Sequence, residues 1–201
     1  MAGPRRPDWA KRGLFVLCLV PLAWLAFDVA NDALGANPIE AVNRRLGDWA
    51  IRLLLISLAV TPLRQAFHWP QAARMRRMLG LFAFFYVALH VTSYLVLDQF
   101  FDWAEIWADV VKRKYMTFGM LAFTLLLPLA ITSTDAMVKR LGGARWRRLH
   151  RLVHLAAVLA VLHHFFLVKV DTTEPLLYGL VLAVLLGWRV AKIKTTSKSV
   201  A

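Results

Sequence analysis

The sequence predicts an all-α membrane protein: one bundle of six transmembrane helices, both ends on the cytoplasmic side. Three observations carry that reading. The 201 residues are 59% hydrophobic, above the roughly one half of a soluble domain. The charged residues cluster between long apolar runs instead of alternating with them. The basic clusters fall on alternate loops.

The apolar runs cover 13–30, 49–67, 79–97, 115–132, 149–168 and 175–190. Each is near the roughly 20 residues a helix needs to cross about 30 Å of hydrocarbon. The first holds Cys18 and Pro21, the second Pro62 and the fourth Pro128; such prolines are tolerated in membrane helices and kink them. The first run lacks a small-x-small exit and five more follow, so it is expected to be a retained span. The loops are short, which leaves 1–201 as a single transmembrane domain with no soluble domain. No GxGxxG or P-loop occurs. A lone cysteine excludes an internal disulfide, a CxxCH haem attachment, and cysteine-held zinc or iron–sulfur centres.

Direction comes from the loops. One side holds Arg5, Arg6, Lys11 and Arg12, the 64–77 arginines (Arg64, Arg74, Arg76, Arg77), the 139–151 cluster and the C-terminal Arg189, Lys192, Lys194 and Lys198. These are 18 of the 25 Lys and Arg. The positive-inside rule makes that side cytoplasmic. It also explains the net charge of +13 without nucleic acid. Asp98, Asp102, Glu105, Asp109, Asp171 and Glu174 fall on the other side. There the stretch 98–111, "DQFFDWAEIWADVV", reads as an interfacial helix, either a surface anchor or a docking face for a basic partner.

Five histidines lie inside spans: His90 in the third, and His150, His154, His163 and His164 in the fifth. His68 reads as an interfacial loop residue. An ionisable side chain at membrane depth is a functional candidate by default. Histidines on two separate helices suit a b-type haem, whose iron takes an imidazole on each face. Spans three and five run the same way, and His90 and His163 lie at similar depth in the outer half. His150 lies about 20 Å away along the helix, at the inner edge. Helical phase leaves the partner open: an offset of 14 aligns His164 with His150, whereas His163 needs a bend or a different approach. Zinc would want a nearby carboxylate, and the third and fifth spans have none. A proton relay would want the same mixture of acids and histidines.

The stretches "LGANP" (34–38), "RRMLGL" (76–81), "LHVTSY" (89–94), "KRKYMTFG" (112–119), "ITSTDAM" (131–137), "RWRRLHRLV" (145–153) and "HHFFLVK" (163–169), in this order, resemble the MsrQ (YedZ) family within the ferric-reductase-like transmembrane group. The resemblance implies a bacterial inner-membrane electron-transfer subunit, not itself an enzyme, that carries haem b, one or two per chain, and FMN. It implies electrons drawn from the quinone pool or a cytosolic flavin reductase. They pass to a periplasmic molybdopterin reductase, MsrP, that repairs methionine sulfoxide in envelope proteins. The family's ligand positions map onto His90, His150 and His163, with His164 as the alternative that phase prefers. NADPH oxidases of the wider group carry a second histidine on the third helix, where this chain has Arg76 fourteen residues before His90. One haem between His90 and His163 is therefore expected. His150 is left to a second haem, a propionate or the flavin. Arg76, Arg77, Arg147 and Arg148 are candidate contacts for haem propionates or a flavin phosphate, although topology alone also accounts for them. Two other readings fit six spans: a ferric or metal reductase core, and a haem-free transporter or assembly factor.

Overall fold

The computed structural model describes residues 9–69 and 72–198, with no side-chain account of 73, 74 and 193–198. Arg5 and Arg6 therefore lie outside the described residues, as do the side chains of Arg74, Lys194 and Lys198. The described chain is all helix: α1 (Trp9–Ala30), α2 (Pro38–Ala66), α3 (Ala72–Ser93, continued by a π turn over Tyr94–Asp98), α4 (Trp103–Lys112), α5 (Lys114–Ile131), α6 (Asp135–Leu141), α7 (Gly143–Leu149), α8 (Leu152–Leu167) and α9 (Thr173–Lys198). Six segments are long and apolar enough to cross a membrane: α1, α2, α3 with its π turn, α5, α7 with α8, and α9.

α2 begins at Pro38, eleven residues before the apolar run that marks it in the sequence. The start is set by chemistry instead of hydropathy. Asn37 caps the helix, its Oδ1 accepting the Glu40 N–H at 3.3 Å while its Nδ2 donates to Glu40 Oε2 at 3.1 Å. Pro38 follows in the first turn, where a missing N–H costs nothing. The fifth span is broken. At His150–Arg151 the bonds tighten to Arg151 N–H to Arg148 carbonyl (3.2 Å) and His154 N–H to Arg151 carbonyl (3.1 Å), the three-residue reach of a tighter helix. α7 and α8 are thus two pieces, and a phase count from His150 to His163 or His164 does not carry across.

α2 is the centre of the bundle. It buries Leu46, Ala50, Ile51, Leu53, Leu54, Leu55, Ser57, Leu58 and Val60 and packs chiefly on α3, while α5 packs chiefly on α8. Small residues permit the close approaches, as expected where lipid removes most of the hydrophobic drive between helices. Ala156 and Ala157 of α8 are fully buried, and a Cβ on Gly80 would stand 3.5 Å from Ser57 Oγ. Phe15, Leu17, Trp24 and Phe27 of α1 stay exposed, the expected composition of a lipid-facing helix. α4 has the one-sidedness of a surface helix: Ile106 and Asp109 are buried, Trp103 and Trp107 exposed.

Two prolines create openings that side chains fill. Pro21 disturbs α1, and the Tyr86 hydroxyl from α3 enters there, donating to the Cys18 carbonyl at 2.8 Å and accepting the Leu22 N–H at 3.1 Å. Those two groups are the pair an unbroken helix would join directly. Pro62 has no N–H for the Leu58 carbonyl one turn earlier, and Arg189 of α9 donates to that carbonyl from Nη2 at 3.0 Å.

A candidate haem site between four helices

His90 of α3 and His163 of α8 meet near the acidic end of the bundle, their ring centroids 6.1 Å apart and their planes at 78°. Each ring is held the same way. His90 Nδ1–H donates to the Asn43 carbonyl of α2 at 2.9 Å, and His163 Nδ1–H to the Tyr115 carbonyl of α5 at 2.7 Å. A glycine follows each carbonyl one turn later. A Cβ on Gly47 would stand 3.4 Å from the His90 ring, and one on Gly119 would stand 2.7 Å from His163 Nδ1. The ring lies over the glycine and reaches back to the preceding turn's carbonyl. These two carbonyl–glycine pairs, Asn43/Gly47 and Tyr115/Gly119, hold the two rings, and reading the histidines alone does not find them.

The arrangement fixes the tautomer. A carbonyl only accepts, so the proton is on Nδ1 and the lone pair on Nε2, the state of a metal-ligating histidine. Two facing neutral imidazoles, each with its proton on Nδ1, are a donor set that fits a bis-histidine haem iron.

The other candidates are placed elsewhere. His164, next in the chain, turns to α2 and α9, with Nδ1 4.0 Å from Asp48 Oδ1 and its ring 5.5 Å from Tyr178. Asp48, His164 and Glu174 form the one described group of three possible metal donors, with ligand atoms within 4.8 Å of one another. Glu174 Oε1 is engaged there by Arg52 at 3.3 Å, and Arg52 also donates to Tyr178 at 2.8 Å. The third and fifth spans carry no carboxylate, as the sequence reads; Asp48 and Glu174 reach His164 from α2 and from the start of α9.

His150 is at the opposite, basic end, stacked on Trp146 with centroids 3.8 Å apart. Its Nδ1–H donates to the Trp146 carbonyl at 3.1 Å, and the Ser133 hydroxyl lies 3.3 Å from Nε2. The Ser133 hydroxyl donates to the Leu129 carbonyl at 2.7 Å, and among the described residues no histidine faces His150 from another helix. His154 Nδ1–H donates to the Arg151 carbonyl at 2.8 Å, while its Nε2 is buried with no partner. Arg77 is bound to the Ser133 carbonyl at 2.6 Å and to Asp135, a tie between α3 and α6. Arg147 and Arg148 are exposed, and Arg76 is half-buried.

Residues 46–161 match the family model described as ferric reductase like transmembrane component. The chain is 57% identical to the protein-methionine-sulfoxide reductase heme-binding subunit MsrQ of Rhodospirillum rubrum, over 92% of this chain and 88% of that protein. It is 49% identical to the protein of the same name from Caulobacter vibrioides, over 99% of each. The chain belongs to the MsrQ family. The match to this family covers all six spans, so the paired histidines sit in a framework shared with MsrQ proteins along their length. That bears out the resemblance read from the ordered motifs and the six-helix, multi-pass membrane fold.

Proposed function

We propose that this chain is the haem b-carrying membrane subunit of a methionine sulfoxide reductase system. It would sit in a bacterial inner membrane with both ends in the cytoplasm and conduct electrons outward to a periplasmic molybdopterin reductase of the MsrP kind. The donors would be the quinone pool or a cytosolic flavin reductase. The observation that carries this is the facing of His90 and His163, each with Nε2 left as the lone-pair nitrogen. Bound haem supplies a one-electron redox couple. The chain's own residues do the rest. Asn43 and Tyr115 lock both imidazoles as Nε2 donors, Gly47 and Gly119 let them lie against the neighbouring helices, and the bundle keeps water away. The relatives are named as haem-binding subunits of a reductase, and this reading assigns the sulfoxide chemistry to the partner. One haem per chain is expected, because among the described residues no second histidine faces His150. FMN is the second group proposed, at the basic end.

The reading is tested by reducing the purified chain and adding the periplasmic reductase with methionine sulfoxide. Reoxidation of the haem that needs both components is expected. The match to the ferric reductase family favours a second reading, a metal reductase core. Reoxidation by chelated ferric iron, with none by the reductase and sulfoxide, would contradict the first reading and support the second.

A further inference from the structure

Asp109 of α4 is 4% exposed and is the one buried carboxylate among the described residues. A buried carboxylate is costly unless it is paired and hydrogen-bonded, and the partners of this one lead to both sides of the histidine pair. Oδ2 accepts the Tyr94 hydroxyl at 3.2 Å. Tyr94 opens the π turn that continues α3, one helical turn after His90. Oδ1 receives Arg113 Nε at 2.9 Å. Arg113 in turn donates from Nη1 to the Tyr115 hydroxyl at 3.1 Å, and the Tyr115 carbonyl is the one that holds His163.

The first turn of α5 needs such a hold. Arg113 is its N-cap, and its side chain makes no capping bond to the free N–H groups there. Helix ends fray, yet the carbonyl that orients His163 lies in this one. α4 grips the turn twice from outside: through the Asp109–Arg113 pair, and through the Thr117 hydroxyl, which donates to the Val110 carbonyl at 2.6 Å. The Tyr115 ring also lies beside the His163 ring, with centroids 6.0 Å apart. A shift of the turn therefore reaches His163 directly.

We infer that Asp109 is a positioning residue of the haem site: anchored to α3 by Tyr94, it fixes the Arg113–Tyr115 turn and so sets the hydrogen bond that orients His163. The inference rests on the haem reading of His90 and His163. A bond from Nδ1–H to a fixed carbonyl raises the basicity of the ligating nitrogen, and hydrogen bonding around the axial ligand is one of the protein's levers on a haem potential. A more basic imidazole favours the ferric state. Slackening the turn weakens the bond and raises the midpoint potential.

Charge alone predicts a different pattern. Removing an anion near the haem raises the potential, and removing a cation lowers it. Asp109→Asn raises it on either account. Arg113→Gln raises it only if the held turn matters more than the lost charge. Tyr115→Phe cuts the bond to Arg113 without changing any charge, and it keeps the carbonyl.

The test is redox titration and low-temperature electron paramagnetic resonance of the full chain, purified with its haem. Asp109→Asn, Arg113→Gln and Tyr115→Phe should each shift the potential upward and move the g values of the low-spin signal. Lys112→Gln, an exposed cation beside Arg113, removes the same charge outside the network and should show no rise. Asp109→Asn is the variant most at risk of misfolding; Arg113 and Tyr115 are less buried and carry the test without it. A fall in Arg113→Gln equal to that in Lys112→Gln, with no shift in Tyr115→Phe, overturns the inference in favour of charge alone. Unchanged potentials and g values with lowered thermal stability overturn it too, and mark a purely structural tie. A wild-type spectrum with no bis-imidazole signal overturns the haem reading and the inference with it, so the two failures are told apart.

Discussion

At the residue scale, the site turns on which atoms histidine is denied. His90 and His163 each spend Nδ1–H on a helix carbonyl, so only Nε2 is left to donate a lone pair. Glycine makes that possible, but unequally. A methyl at Gly47 would meet the His90 ring at an ordinary 3.4 Å, whereas one at Gly119 would collide with His163 Nδ1 at 2.7 Å. Gly119→Ala is therefore expected to displace His163 and lower haem content at least severalfold, while Gly47→Ala should keep most of it. Pyridine haemochrome assay of the two variants checks this, and equal content in both would contradict it. The choice between His163 and His164 was not legible from phase. That count assumed one straight helix, and the chain tightens at His150–Arg151. Family spacing points to His163, whose ring meets that of His90. Asp48 as the neighbour of His164 could not be read at all, because the contact joins residues 116 positions apart.

At the element scale, apolar runs located every spanning segment but not their ends or their defects. α2 starts where Asn37 and Pro38 dictate, and an amphipathic first turn does not register as hydropathy. The prolines were visible as kinks; their partners were not. Tyr86 is 1% exposed, and its hydroxyl serves both groups opened in α1. Tyr86→Phe would strand the buried Cys18 carbonyl and the half-buried Leu22 N–H, so a loss of about 1–3 kcal/mol is expected. A reversible unfolding titration in mixed micelles measures it. Tyr178→Phe removes one half-buried bond from Arg52 between α2 and α9 and should cost less, about 0.5–1.5 kcal/mol. A larger effect for Tyr178→Phe than for Tyr86→Phe would contradict this ranking.

At the scale of the whole molecule, the segregation of charge is what the proposed topology rests on. The basic end faces the cytoplasm in this account, so a green fluorescent protein joined to the C-terminus should fluoresce and an alkaline phosphatase joined there should be inactive; the reverse pattern would invert the electron path. The histidine pair then lies toward the periplasmic side, near the surface that bears α4 and its exposed Trp103 and Trp107. The central claim is that one haem is held between α3 and α8 by His90 and His163. Haem per chain, measured by pyridine haemochrome in His90→Ala, His163→Ala and His164→Ala beside wild type, tests it most directly. The account predicts about one haem in wild type and in His164→Ala, and little in the other two. Loss in His164→Ala with retention in His163→Ala would contradict it.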